Sequence, residues 1–211
     1  PVSSRVAPED SGDFVPVLRF VVASDSHVRT LFDVRSRRVQ NVLTLAYSDA
    51  RQDENYQKLD AAVFAGDLTD NGTVFQFMGF KAAVDSVLSD ETKLMAVVAK
   101  NHDGYTFDKK SLSLFTDLTG QPSDYHNVVG GFHFIGLSAS AEPGEHYSEY
   151  QRVWLKEQLE EAVNADPEKP IFVTHHEHVS DTVFGSGELD GWGLEYFKDI
   201  LSEYPQVVDF S

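Results

Sequence analysis

Apolar runs alternate along this chain with amphipathic segments, a pattern that predicts strands separated by helices. Nearly continuous apolar stretches, typical of strands buried on both faces, occur at 17–23, 61–65, 94–99 and 170–174. Apolar residues spaced by three and four favour helices over about 36–59, after Thr73, over 108–118 and over 148–164. This order of elements predicts an α/β domain with a largely parallel sheet.

Two further apolar runs, 125–129 and 132–137, add an antiparallel element to this picture. Gly130-Gly131 lies between them and is a hairpin signal. A last helix and a strand at 206–210 complete the pattern. Residues 1–16 are predicted to form an irregular N-terminal arm, so the folded domain is expected to occupy residues 17–211.

Length and charge limit the classes of function. A chain of 211 residues suits one sizeable domain. Its formal charge of −17 disfavours nucleic acid as a partner, because the chain would repel a phosphate backbone. No apolar run reaches the roughly 20 residues of a membrane helix, so no membrane partner is expected. The compartment stays open, cytoplasmic or extracytoplasmic after removal of a signal, and so does the oligomeric state.

Polar residues with metal-ligand chemistry follow four of the predicted strands directly. They are Asp25-x-His27, Gly66-Asp67-x-x-Asp70, Asn101-His102-Asp103 and His175-His176. Each piece alone is a common turn, helix cap or surface cluster. Because the carboxyl ends of neighbouring parallel strands lie at one edge of a sheet, the four pieces are expected to lie close together. Nitrogen and oxygen donors without sulfur suit zinc, iron, manganese or cobalt. A carboxylate such as Asp67 can bridge two such ions.

The ordered set resembles the calcineurin-like metallophosphoesterases, whose blocks run D-x-H, G-D-x-x-D/N, G-N-H-D/E, H and a final G-H-x-H. The resemblance spans residues 20–211. It implies an α/β fold, a four-layer α/β/β/α sandwich with two mixed sheets and a metal site at the strand carboxyl ends. It also implies two divalent metal ions (Mn, Fe or Zn) and hydrolysis of phosphate mono- or diesters by hydroxide held at this dinuclear centre. The expected partner is a small phosphorylated substrate.

The resemblance also suggests roles for individual residues. Asp25 and His27 would bind the first metal, Asp67 would bridge the two ions, and Asn101 would offer its carbonyl oxygen to the second. His175 best matches the fourth block as a second-metal ligand, with His176 as the alternative because the two histidines are adjacent.

Two more residues would take part in the reaction itself. His102 would contact the substrate phosphate and protonate the leaving group. Asp70 lies where an acid that orients this histidine is expected, so the pair is predicted to be catalytic.

The chain also departs from the family pattern. Lys100 replaces the usual glycine before Asn-His, and the chain ends at Ser211, where the final G-H-x-H block would begin. The domain is therefore expected to be truncated, with weak metal binding and little activity. A non-catalytic binding domain with a decayed site is the alternative. The cluster Arg35, Arg37 and Arg38 is interpreted as a solvated face.

Overall fold

Two stacked sheets form the centre of the protein in the computed structural model. The structure describes residues 15–104, 110–140, 145–184, 186 and 194–211. The first sheet contains β1 (Phe20–Ala23), β2 (Ala61–Ala65) and β3 (Lys93–Val97), in that order and all parallel. The expected N-terminal arm lies outside the described residues, except for residues 15 and 16.

The second sheet has the order β4-β5-β6-β7. Its strands are β4 (Tyr125–Val129), β5 (Phe132–Gly136), β6 (Ile171–Thr174) and β7 (Val207–Phe210). The pair β4–β5 is the antiparallel hairpin that the glycine pair predicted, and the other pairs are parallel. Gly130 and Gly131 have φ values of 59° and 79°, which a tight turn requires and which residues with a Cβ rarely adopt.

Helices cover the outer face of each sheet. The first sheet carries α1 (Val34–Ala50), α2 (Val74–Asp85) and α3 (Lys110–Thr119), and the second carries α4 (Glu149–Ala165) and α5 (Glu195–Ser202). Asp33 begins α1 by accepting hydrogen bonds from the backbone of Arg35 and Ser36. None of the helices in the described part of the chain combines the length and the apolar character that crossing a membrane requires.

Three separate apolar cores hold these layers together, and β2 contributes to two of them. Ala62 and Phe64 face the helices of the first sheet, whereas Ala61 and Val63 face the second sheet. A third core joins the second sheet to α4 and α5. The predicted four-layer α/β/β/α sandwich is therefore confirmed. Over the described residues only the second sheet is mixed, because only that sheet contains a hairpin.

The sheet edge that follows β1, β2 and β3 is where their predicted site residues meet. All five residues of β2 are buried, so the turn after it starts from a fixed position. The helix predicted over 36–59 ends earlier, at Ala50, and the chain then returns through a loop to β2. The parallel strands thus bring the beginnings of three loops to one edge.

Candidate metal centre

The loops after β1 and β2 run side by side as a short extension of the sheet. The backbone N–H of His27 donates to the carbonyl of Asp67 (2.9 Å), and that of Asp25 donates to the carbonyl of Gly66 (3.2 Å). Asp25, His27 and Asp67 have φ values of 55°, 44° and 49°. Each such left-handed non-glycine residue costs on the order of 1–3 kcal/mol, and such strain is concentrated at functional sites.

The Asp67 carboxylate lies at the centre of the site. Its side chain is only 3% exposed, and its Oδ2 lies 3.6 Å from His27 Nε2 and 3.5 Å from His176 Nε2. Two groups of three side chains could each hold a metal ion: His27, Asp67 and His102 in one, and Asp25, Asp67 and His176 in the other. The candidate ligand atoms within each group lie within 4.8 Å of one another. Asp67 belongs to both groups.

Unpaired polar atoms indicate that these residues fit divalent ions. His27 Nδ1, Asp67 Oδ1 and Asn101 Oδ1 are buried and have no hydrogen-bond partner within the described residues. Buried acceptors without partners are costly, and a bound cation would remove that cost. Two ligand atoms that each lie about 2.1 Å from one zinc-like ion are roughly 3–3.5 Å apart. The distances from Asp67 Oδ2 to the two histidine nitrogens, 3.6 and 3.5 Å, are close to this spacing.

The two residues that precede His102 make different contacts, and Asn101 is the one that reaches Asp67. The Asn101 amide donates to Asp67 Oδ2 (3.3 Å), which leaves its carbonyl oxygen as a possible ligand. The Lys100 ammonium donates to the backbone carbonyl of Glu145. Burial lowers the pKa of this lysine, and the nearby acids Glu177 and Glu145 partly offset the effect.

The structure separates the two adjacent histidines after β6. His175 is fully buried, and its Nε2 lies 2.9 Å from Asp209 Oδ1 on β7. His176 instead reaches the candidate metal centre, with its Nδ1 2.8 Å from the carbonyl of Ala65 and its Nε2 facing Asp67. Of the two candidates from the sequence, His176 is therefore the one that lies among the other site residues. We treat its role as ligand, in place of His175, as a proposal.

Gly66 provides the space for this histidine. The residue has a φ of 83°, and a Cβ on it would lie 2.7 Å from the side chain of His176. Burial alone would lower the pKa of His176, but the hydrogen bond and charge of Asp67 raise it to about 9. Both effects reflect one close contact, in which the imidazole packs directly on the end of β2.

His102 contacts the backbone of Asp70 rather than its carboxylate. The ring Nδ1 lies 2.9 Å from the Asp70 carbonyl oxygen. The Asp70 carboxylate pairs with Arg29, with a distance of 3.0 Å between Nε and Oδ2. Burial acts to raise the pKa of Asp70, but the Arg29 guanidinium outweighs it and the pKa is lowered. Asp70 thus lies where the sequence predicted, but its carboxylate contacts another residue.

Asp103, for which no role was predicted from the sequence, joins two of the site loops. It is fully buried and accepts hydrogen bonds from the backbone N–H groups of Leu68 (3.1 Å), Thr69 (2.7 Å) and Ala99 (3.1 Å). The Thr69 hydroxyl is a fourth donor (2.7 Å). Burial raises the pKa of Asp103 to about 6, although the hydrogen bonds act to lower it. The turn after β2 is thereby fixed to the turn after β3.

A second buried acid, Glu177, supports the His176 loop. It accepts a hydrogen bond from the Tyr147 hydroxyl, and its Oε1 lies 3.3 Å from His146 Nδ1. Burial would raise the pKa of Glu177, but these two partners and the charge of His176 lower it to about 2. The Tyr147 hydroxyl also accepts from the backbone N–H of His176 (3.3 Å), so the acid holds this loop through the tyrosine.

Comparison with solved structures supports the same fold. A purple acid phosphatase from yellow lupin seeds superposes on 89% of this chain and 36% of its own length, with a TM-score of 0.59. The two share 14% sequence identity, so this likeness concerns the fold alone.

Sequence relatives are closer. A probable cyclic nucleotide phosphodiesterase of Rhodococcus erythropolis is 34% identical over 163 residues, which cover 72% of this chain and 50% of the relative. A probable glycerophosphodiester phosphodiesterase of Arcobacter nitrofigilis is 29% identical over 199 residues, covering 89% of this chain and 68% of the relative. The chain thus spans about half the length of the first relative. The calcineurin-like phosphoesterase model matches residues 18–209. The chain therefore belongs to the calcineurin-like phosphoesterase family.

Proposed function

We propose that this protein hydrolyses small phosphodiesters with two divalent metal ions that share the Asp67 carboxylate. The observation that carries this proposal is the pair of three-residue groups with Asp67 in common. The residues of the two groups would hold two divalent ions, and a pair of ions suits displacement at phosphorus. His27 and Asp25 belong to different groups, and their side chains are neighbours, with 3.6 Å between His27 Nε2 and Asp25 Oδ1.

Each part of the site has a role in this proposal. Divalent ions bound by these residues would supply Lewis-acid activation of water and would neutralise the charge of the phosphate. The hydrogen bond from Nδ1 to the Asp70 carbonyl fixes the His102 ring and leaves Nε2 as its one free nitrogen. In this proposal the doubly protonated ring delivers a proton from Nε2 to the leaving oxygen rather than binding an ion, so that His27 and Asp67 would hold the ion of that group. Asn101 positions the Asp67 carboxylate through its amide.

The proposal favours diesters over monoesters. Both relatives carry names of phosphodiesterases that act on small substrates, one on cyclic nucleotides and one on glycerophosphodiesters. The charge of −17 also disfavours a polyanionic substrate such as nucleic acid. We therefore place a small phosphodiester first among substrates.

Metal addition to the purified chain tests the proposal. The protein is stripped with a chelator and supplied with millimolar Mn²⁺, Zn²⁺ or Fe²⁺, and hydrolysis of bis(p-nitrophenyl) phosphate and p-nitrophenyl phosphate is followed. We expect metal-stimulated hydrolysis, faster for the diester. A rate equal to that of the stripped protein with every metal would contradict the proposal. Low activity of this chain stays a prediction, and the same assay measures it.

Substitution of Asp70 with asparagine should lower kcat/KM by less than about fivefold, because His102 contacts the backbone carbonyl and the lost exposed ion pair contributes little. The comparison variant is His102→Gln, for which general acid catalysis predicts a loss on the order of 10²–10³-fold. Steady-state kinetics on the diester measure both. If kcat/KM falls equally in the two variants, the Asp70 carboxylate is needed to orient His102, contrary to this prediction.

A further inference from the structure

A cavity of about 330 Å³ opens beside the candidate metal centre. It lies between α1 and the turn after β1, and its lining includes Asp25 and His27, one residue from each metal-binding group. A group bound in this cavity would therefore lie next to a phosphate held at the centre. The volume is at the lower end of the range for small-molecule sites.

Two kinds of side chain form the walls. The apolar part of the lining includes Val39, Val42 and Phe64. The charged part includes Arg35 and Arg38, which lie on α1. Within the described residues no salt bridge joins a carboxylate to either of these guanidinium groups. Asp70 is paired directly with the nearby Arg29 and feels the charge of Arg35 only at longer range. Arg35 is half-buried and Arg38 is exposed, so ligands can reach both.

The local charge is opposite to that of the whole protein. Residues 29–38 contain four arginines and one acid, Asp33, in a chain of net charge −17. Asp33 is occupied as the N-cap of α1. Unpaired guanidinium groups at the edge of an apolar cavity recognise a carboxylate or a phosphate through paired hydrogen bonds. Asp25 is the one acid in the cavity lining, and it lies at the metal end, where bound cations would offset its charge.

We propose that this cavity, the arginine pocket, binds the leaving group of the phosphodiester and selects one that carries a negative charge on an apolar body. The inference rests on the proposed function, because it places the scissile phosphate at the centre formed around Asp67. The apolar body would pack on Val39, Val42 and Phe64, and the charge would contact Arg35 and Arg38. Two of the three arginines that were interpreted from the sequence as a solvated face would thus determine specificity.

Two matched esters test this selection. Methyl 4-carboxyphenyl phosphate and methyl 4-carbamoylphenyl phosphate have nearly the same shape and differ by one negative charge. We expect kcat/KM to be about tenfold higher for the carboxylate, the size of one charge-assisted hydrogen bond. In the double variant Arg35→Gln/Arg38→Gln the ratio should fall to near one. Equal rates for both esters in the unmodified protein would overturn the pocket and leave the proposed function intact.

Arg37→Gln is the matched control, since Arg37 is exposed on the same helix and does not line the cavity. This variant should keep the tenfold ratio. A ratio that falls equally in the control would mean that general charge, not the pocket, selects the ester.

A binding measurement separates the pocket from catalysis. Titration of 4-hydroxybenzoate and 4-hydroxybenzamide, followed by ligand NMR, should show tighter binding of the carboxylate to the unmodified protein and no preference in the double variant. If neither ester is hydrolysed but this preference is found, the proposed function fails and the pocket stands. If the unmodified protein shows no preference, the pocket is overturned whatever the kinetics.

Discussion

Replacing Asp67 with asparagine should reduce metal-stimulated hydrolysis by on the order of 10³-fold or more, because both ions would lose their one shared anionic ligand. Asparagine keeps the size of the side chain but offers one neutral oxygen in place of two that share a negative charge. The side chain is 3% exposed, so no water replaces the missing oxygen easily. The loss should therefore affect metal binding as well as turnover.

Two measurements separate these effects. Calorimetric titration with Mn²⁺ should show lower affinity or fewer ions per chain in Asp67→Asn, and the diester assay should show the lost rate. Asp49→Asn is the control, since Asp49 is an exposed carboxylate near the end of α1. Circular dichroism confirms that both variants are folded. Unchanged turnover in folded Asp67→Asn would remove this residue from the mechanism and with it the proposed shared-ligand site.

The positions of the site residues could be predicted from the sequence because they depend on local pattern. The strand 61–65 was predicted with its observed bounds, and the turn after it carries Asp67 as expected. Parallel packing then makes the ends of β1, β2 and β3 meet. Several apolar runs, each followed directly by acids or histidines, together locate this edge, although one such run alone would not.

The direction of individual side chains could not be predicted in the same way. His175 and His176 both follow β6, and neighbouring residues of an extended chain point to opposite sides. Which side faces the first sheet depends on how the two sheets stack, and this is a tertiary property. His175 packs towards Asp209 on β7, and His176 packs on Gly66.

Contacts between loops could not be predicted from the sequence either. The Asp70 carboxylate was expected at His102, but the turn presents its carbonyl there instead. The arginines of α1 have no feature in the sequence that distinguishes a solvated face from a cavity wall. The cavity is formed by residues of α1 together with the turn after β1, and this proximity is a tertiary property.

Asp103 shows how a buried acid can be structural while it lies one residue from a catalytic candidate. Asp103→Ala should lower the free energy of unfolding by about 3 kcal/mol, because it leaves three backbone N–H groups and one hydroxyl without their acceptor in the protein interior. Removing a buried carboxylate also removes the cost of burying it, which keeps the net loss below the sum of four hydrogen bonds.

Urea unfolding followed by far-UV circular dichroism measures this loss. The graded control is Thr69→Val, which removes one of the four donors to Asp103 and the acceptor of the Gly72 N–H (3.0 Å), and should cost about 1–2 kcal/mol. Asp103→Ala should also weaken metal binding, because the turns that carry Asp67 and Asn101 are no longer fixed to each other through the backbone of Leu68 and Ala99. A loss of stability no larger than that of Thr69→Val would mean that water or neighbouring groups satisfy these donors, and that Asp103 does not hold the two turns in place.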